Sequence, residues 1–177
     1  MFNFEELDEI TRSWMLKEFK AELATNPYFS KSLSTLGRRV FPEFMERAIK
    51  EGSEETLRRD LLDRGFWKTN SGRANPRTIN PLTEAKKVAI TEFNTWYVRG
   101  FARRLIEEGE SLCEVYRAAP AEEPRTECRF HHGRQYPVQQ IYEGHRARYW
   151  PEPGNPRALS IPVGPNCHHT IRRIKRL

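Results

Sequence analysis

Long apolar runs and a secretion signal are both missing from this chain, and their absence limits where the protein can work. No segment approaches the roughly 18 consecutive apolar residues of a membrane-spanning helix. The N-terminal segment is acidic and has neither the basic nor the apolar stretch of a secretory signal. We therefore expect a cytoplasmic protein with no membrane partner.

Cysteine and aspartate are scarce, which restricts the chemistry further. Three cysteines cannot close a set of disulfides, so a reducing compartment is expected. The last of three aspartates is Asp63, which argues against an aspartate-rich nuclease centre in the C-terminal half. The sequence also lacks a Gly-rich phosphate loop, a GxSxG elbow and an HExxH helix. These absences disfavour P-loop nucleotide hydrolases, α/β-hydrolases and zinc proteases.

Histidine and positive charge are concentrated at one end of the chain. All five histidines follow position 130, and two of the cysteines, Cys128 and Cys167, lie in the same region. The net charge is +6, and residues 113–177 carry 11 Lys and Arg against six Glu. The sequence therefore divides into two halves of different chemistry.

Residues 1–67 are predicted to form an N-terminal helical region. Asn3 is a suitable N-cap, and the Asn26-Pro27 pair ends the first helix because the residue before proline avoids helical geometry. Pro42 fits the first turn of a second helix that stops at Gly52. Ser53 then caps a third helix.

Residues 68–82 are predicted to be a linker, and residues 83–109 a long helix. The linker is rich in Gly, Asn, Ser and Pro. Thr83 caps the helix that follows, and Gly109 ends it. Apolar residues, most of them aromatic, repeat every four positions along this helix, which indicates a face packed on the earlier helices. They are Ala89, Phe93, Tyr97, Phe101 and Leu105.

Residues 110–177 are expected to form a small β-rich module. Short strands are predicted at residues 113–118, 136–142 and 158–162. Cys113 opens the first strand and is expected to be a buried apolar residue. The region is rich in proline and poor in aliphatic residues, so it has little core of its own, and small domains of this kind often depend on a structural metal.

Two Cys/His clusters supply ligands for such a metal. Cys128 and His131 form a Cys-x2-His pair, and Cys167 and His169 form a Cys-x-His pair. Zinc prefers four thiolate and imidazole ligands in tetrahedral geometry. We predict that these four residues bind zinc, and hence that the chain is α+β, with an N-terminal helical domain followed by a zinc-stabilised β-rich module. Three protein ligands and a water would instead make the site catalytic.

The other three histidines have less definite roles. Neighbouring side chains on a strand point to opposite faces, so His132 and His168 are expected to face away from the metal, although either could replace a ligand. His145, in a Gly-His-Arg sequence, is either a fifth candidate ligand or a general base.

The motif order of residues 84–171 resembles the C-terminal part of phage Mu F-like minor head, or head-morphogenesis, proteins. In that family a helix with Thr-Glu precedes a short strand, a Cys-containing turn ending in Gly and a closing Pro-Asn-Cys segment. Gly164 stands where the family often has His, and His169 where it often has Cys. The matching residues are Thr91-Glu92, Gly109, Arg125-Thr126-Glu127-Cys128, His131, Gly133 and Pro165-Asn166-Cys167-His168-His169.

The resemblance implies a minor capsid or portal-associated protein that is needed for head assembly and DNA packaging. Its partners would be phage portal or capsid protein, with DNA as a further candidate. It would act in the cytoplasm of the host cell, with the virion as an alternative location. The resemblance does not by itself imply an enzyme, although members of the family are sometimes fused to enzymatic domains.

A metal-dependent nuclease is the enzymatic alternative. In this hypothesis His131 or His132 is the general base, and His145 or His169 holds a catalytic divalent ion. His132 and His145 would then be the catalytic pair. Little chain remains after Cys167 for the helix that follows the strands in ββα-metal nucleases.

A nucleic-acid-binding module without catalysis is the third hypothesis. Arginines in the C-terminal region alternate with aromatic residues such as Phe130, Tyr136, Tyr149 and Trp150. Basic groups contact phosphates, and aromatic rings stack on bases. The predicted contacts are Arg129, Arg134, Arg146, Arg148, Arg172 and Arg173.

Overall fold

The computed structural model describes residues 2–70, 78–120, 130–147, 159–165 and 167–175, and it combines helices with a small antiparallel sheet. The predicted α+β class is therefore confirmed. None of the helices in these ranges is both long enough and apolar enough to cross a bilayer. The helices are α1 (Glu9–Thr25), α2 (Thr35–Glu51), α3 (Glu54–Asp60), a 3-10 turn (Arg64–Phe66), α4 (Pro81–Glu107) and α5 (Val138–Glu143).

Helix α4 lies at the centre of the fold, with α1, α3, α5 and the sheet packed against it. Its aromatic residues Phe93, Trp96, Tyr97 and Phe101 are almost fully buried. The stripe predicted from the sequence is thus a packing face. Gly100 allows α1 to pack closely against α4, since a Cβ at position 100 would lie 2.5 Å from the backbone nitrogen of Met15 on α1.

The first helix begins later than predicted. Its N-cap is Asp8, whose Oδ1 accepts a hydrogen bond from the Thr11 backbone N–H at 2.9 Å. Asn3 instead donates its N–H to the Ala118 carbonyl at 2.8 Å and accepts from the Tyr116 hydroxyl at 2.6 Å. Tertiary contacts with the sheet therefore override the local capping pattern.

The second helix begins earlier than predicted, at Thr35, with Pro42 in its interior. Ser34 caps it by accepting from the Gly37 N–H at 3.1 Å. An interior proline costs one backbone hydrogen bond, but the helix continues because both of its halves bury apolar residues. The boundary at Gly52 and Ser53 is confirmed: Gly52 ends α2 and Ser53 caps α3.

Strands β1 (Leu112–Arg117), β2 (Gln135–Pro137) and β3 (His169–Arg173) form one sheet in the order β2-β1-β3, with both pairs antiparallel. The first predicted strand is confirmed to within one residue. Cys113 is fully buried, and burial raises the pKa of its thiol to about 12, so it is the apolar core residue expected.

The other two predicted strands are wrong in extent or place. Only residues 136 and 137 of the second belong to β2, and α5 follows because Val138 and Ile141 bury one face at helical spacing. Position 158 of the third predicted strand lies outside the described residues, and residues 159–162 do not form a strand. The third strand of the observed sheet is instead β3, closer to the C-terminus.

The sheet and the helices share one hydrophobic core. Val115 of β1 and Ile171 of β3 are fully buried, and they belong to the same apolar cluster as Phe93 of α4. On the other side, Phe2 and Phe4 pack beside Tyr116. The start of the chain therefore lies beside β1, where it can reach the Cys/His region.

Candidate metal centre

The residues around the start of β3 hold a buried Cys–His pair. His169 opens the strand opposite Arg117 of β1, and Cys167 precedes it by two positions, which places the two side chains on one face. The Cys167 Sγ lies 3.9 Å from His169 Nδ1, and the two residues are 4% and 2% exposed. Asn94 of α4 donates its Nδ2 to the His169 carbonyl at 2.8 Å. The pair is therefore held firmly against the central helix.

The His169 ring carries an unsatisfied nitrogen. Within the described part of the chain, its Nε2 is buried and has no hydrogen-bond partner. Burial, followed by the positive charge of Arg117, lowers the pKa of His169 to about 4. The ring is therefore neutral at pH 7, and a neutral imidazole is the form that coordinates metals.

His131 and His132 are brought to the same region by the turn before β2. Residues 130 and 131 are helical, and Gly133 closes the turn at φ +72°, where its N–H donates to the Val115 carbonyl at 2.8 Å. The His132 ring lies 5.7 Å from that of His169. It was expected to face away, but the alternation of a strand does not apply to a helical turn.

His131 and His168 point to different neighbours. His131 Nδ1 is hydrogen-bonded to the Tyr136 hydroxyl at 2.7 Å, which fixes the orientation of its ring. His168 Nδ1 lies 2.7 Å from the Pro120 carbonyl, and its ring packs on Phe2 at 5.5 Å. His168 therefore faces away from the Cys167–His169 pair, as expected.

The structure describes three of the four predicted zinc ligands. Cys128 lies outside the described residues, whereas His131, Cys167 and His169 lie inside them. Among the residues that are described, no group of three or more His, Cys, Asp or Glu side chains is arranged to hold a metal ion. Zinc binding therefore stays a prediction.

His145 belongs to a different cluster, in which its Nε2 lies 2.8 Å from Glu22 Oε2 on α1. Its ring packs against Trp96 of α4 with 5.0 Å between centroids. Burial, reinforced by the charge of Arg146, lowers the pKa of His145 to about 4 despite the hydrogen bond to Glu22. The structure thus brings His145 to a carboxylate of the helical core rather than to Cys167 and His169.

Arg146 is the centre of this second cluster. Its Nε donates to Glu22 at 3.0 Å, and its Nη2 donates to Glu92 at 2.9 Å. Burial alone would lower the pKa of Arg146, but the charges of Glu92 and Glu22 raise it. Its φ of 54° is unusual for a residue with a side chain. The Arg146 side chain makes both buried ion pairs from this backbone conformation.

Three of the four described arginines that were predicted to contact nucleic acid form ion pairs inside the protein. Arg146 has a side chain only 2% exposed. Arg172 binds Glu5 and Glu114, and Arg173 binds Glu6, Glu108 and Glu110. Arg134 stacks on Phe130, with its guanidinium carbon 3.5 Å from the ring centroid. Arg129 and Arg148 lie outside the described residues.

Sequence reasoning missed Glu22 and Glu92, the two carboxylates of the Arg146 cluster. Glu22 is 123 positions from His145, and no local pattern joins them. Glu92 did give a signal, because a carboxylate within the apolar stretch of α4 needs a buried partner. That partner proved to be Arg146.

Comparison of the chain with protein-family models, with curated proteins and with solved structures finds no match in any of the three.

Proposed function

We propose that this chain is a minor head protein of a phage or prophage, whose C-terminal module is stabilised by zinc and contacts portal or capsid protein. The observation that carries the proposal is the buried Cys167–His169 pair, in which His169 Nε2 has no hydrogen-bond partner among the described residues. The pair lies in the closing Pro-Asn-Cys motif of the resemblance to Mu F-like proteins.

Zinc would be held by Cys128, His131, Cys167 and His169. The thiolate and imidazole groups suit this ion. Bound zinc would also give the buried His169 Nε2 the partner that it lacks among the described residues. Tyr136 supports the assignment, since its hydroxyl fixes the His131 ring as hydrogen bonds commonly do for metal-binding histidines. When bound, zinc would link the turn before β2 to the start of β3.

A structural role is favoured over catalysis because Cys167 and His169 are almost completely buried. The nuclease hypothesis would need His132 and His145 in one site. The geometry instead pairs His145 with Glu22 and places His132 beside His169. No contact among the described residues favours that hypothesis.

Metal analysis tests the zinc part of the proposal. We expect the purified chain to contain about one zinc per molecule, and His169→Ala to lose it. His168→Ala is the matched control, because this neighbouring histidine faces Pro120. Zinc-free wild-type protein, or equal loss of zinc in the two variants, would contradict the assignment.

Co-purification tests the head-assembly part. The chain is co-expressed with the portal and major capsid proteins encoded in the same genome, and bound protein is identified after affinity capture. We expect wild type and His168→Ala to retain one of these partners and His169→Ala to lose it. A zinc-loaded chain that captures neither protein would disprove the assembly role and leave the zinc site intact.

A further inference from the structure

The loop before α2, the first turns of α2 and the segment after α3 carry five exposed cations. The loop before α2 and the segment after α3 are joined by three hydrogen bonds, from the Ser34 N–H to the Phe66 carbonyl at 2.9 Å, from the Lys68 N–H to the Ser32 carbonyl at 3.0 Å, and from the Ser34 hydroxyl to the Gly65 carbonyl at 2.7 Å. We call the following residues the basic surface: Lys31, Arg38, Arg39, Arg64 and Lys68.

These five cations have no acidic partner among the described residues. The salt bridges of that part of the chain include none of them, and Arg64 donates only to the backbone carbonyls of Trp67 and Lys68. The nearest acids along the chain are Asp63, which accepts from the Gly65 N–H, and Glu43, one turn after Arg39. Neither forms a salt bridge with the basic surface among the described residues, so its five cations outnumber these two acids.

In the C-terminal region, by contrast, partly exposed arginines are paired with carboxylates. There Arg172 and Arg173 are each bound to at least two carboxylates. Four of the six Lys and Arg that the structure describes in residues 113–177 are paired with glutamates, namely Arg146, Arg172, Arg173 and Lys175. Unmatched charge is found instead around the N-terminus of α2, whose helix dipole adds to it.

The composition of the basic surface indicates the class of partner. Protein interfaces are usually centred on apolar or aromatic residues, whereas in residues 31–39 and 64–68, which carry the cations, the one large apolar side chain that is exposed is Leu36, at 39%. Thr35 and Thr69 are also exposed beside the cations. Lys, Arg and hydroxyl side chains are the groups that contact the phosphates of nucleic acids.

We propose that the basic surface binds the phosphate backbone of duplex DNA without reading its sequence. The proposal rests on the proposed function only in the choice of DNA over RNA. It is independent of the metal centre, because no candidate zinc ligand lies on the basic surface. Its partner is therefore separate from any portal or capsid protein bound by the C-terminal module.

Fluorescence anisotropy with a labelled mixed-sequence duplex tests this surface across about 50–200 mM salt. Wild type should bind more weakly as salt rises. Arg38→Gln/Arg39→Gln should weaken binding about tenfold or more and reduce the slope of log Kd against log salt by about 2. Lys31→Gln/Lys68→Gln is a second variant with the same expected effect, and circular dichroism checks that both fold.

The control is Lys20→Gln/Lys50→Gln, which removes the same charge from two exposed lysines that pair with Glu46. It should leave DNA affinity within about twofold, and chelation of zinc should have no effect on DNA binding. The proposal is overturned if wild type does not bind the duplex or if the control weakens binding as much as the test variants. Binding of polyglutamate in place of DNA would overturn it in favour of an acidic protein partner.

Discussion

Arg146 donates from Nη2 to Glu92 at 2.9 Å in a part of the core where neither side chain is more than 6% exposed. Glu22 completes the cluster from α1, so a single guanidinium joins the segment after α5 to two helices. A buried ion pair contributes little net stability compared with apolar packing, but the loss of one partner leaves the other charge buried and unpaired. The cluster therefore makes the fold sensitive to any change at position 146.

Arg146→Met should lower the free energy of unfolding by about 3–5 kcal/mol, because Glu22 and Glu92 lose their counter-charge. Urea titration followed by circular dichroism measures the change. Lys175→Gln is the surface control and should stay within about 0.5 kcal/mol of wild type. Adding Glu92→Gln to Arg146→Met should recover part of the loss. A loss below about 1 kcal/mol in Arg146→Met would show that the pairs are not desolvated as the structure indicates.

Stability should fall as the pH drops from about 6.5 towards 4, with His145 as one cause. The pKa of His145 is about 4 in the native state and near its ordinary value of 6.5 when unfolded. The unfolded chain therefore binds a proton in this window that the native chain does not, which favours unfolding. The full effect of this group is about 3 kcal/mol.

His145→Gln removes this titration while keeping a side chain that can reach Glu22. Urea midpoints at pH 7, 6, 5 and 4.5 should show wild type losing stability relative to the variant as the pH falls, because only wild type carries this titration. The control is His168→Gln, which changes a half-buried histidine that faces the Pro120 carbonyl and lies outside this cluster. Parallel pH curves for wild type and His145→Gln would show that His145 does not contribute.

Gly100→Ala should destabilise the protein by about 3 kcal/mol, since its Cβ would lie 2.6 Å from the Cα of Met15 and force α1 away from α4. Gly109→Ala is the comparison, because its Cβ would meet nothing within 4 Å, although its φ is +78°. Backbone strain alone should cost about 1 kcal/mol there. Thermal and urea unfolding of both variants measure the difference, and equal losses would argue against a tight α1–α4 contact.

Tyr136→Phe should weaken zinc binding about 10–100-fold without changing the fold, because it removes the hydroxyl that orients His131. Competition with a chromogenic chelator measures the affinity. Tyr116→Phe is the matched control, since its hydroxyl bonds to the Asn3 carbonyl instead. Unchanged affinity in Tyr136→Phe would remove His131 from the ligand set.

Local signals predicted the parts of the fold that depend on neighbouring residues. Gly52 and Ser53 mark a helix boundary, and Gly109 ends α4 in a left-handed conformation that suits glycine. The repeat of apolar residues along α4 also predicted its buried face. In each case the physical cause lies within one helix or at its ends.

The mispredicted elements depend on distant parts of the chain. Asn3 does not cap a helix because its backbone forms hydrogen bonds with Tyr116 and Ala118. Helix α5 forms where Val138 and Ile141 pack into the core. The sequence clusters of Cys and His did anticipate Cys167 beside His169. They did not anticipate that His145 would pair with Glu22, because that contact exists only after α1 and α4 have packed.

The strand order β2-β1-β3 has a consequence for the newly made chain. Strand β1 is the middle strand, yet it is synthesised before both of its neighbours, and β3 follows it by about fifty residues. At ribosomal speeds this is a delay of several seconds, during which one edge of β1 has no partner strand. Unpaired strand edges are sites of aggregation, so the interval before β3 arrives is when the nascent chain most needs protection by a chaperone.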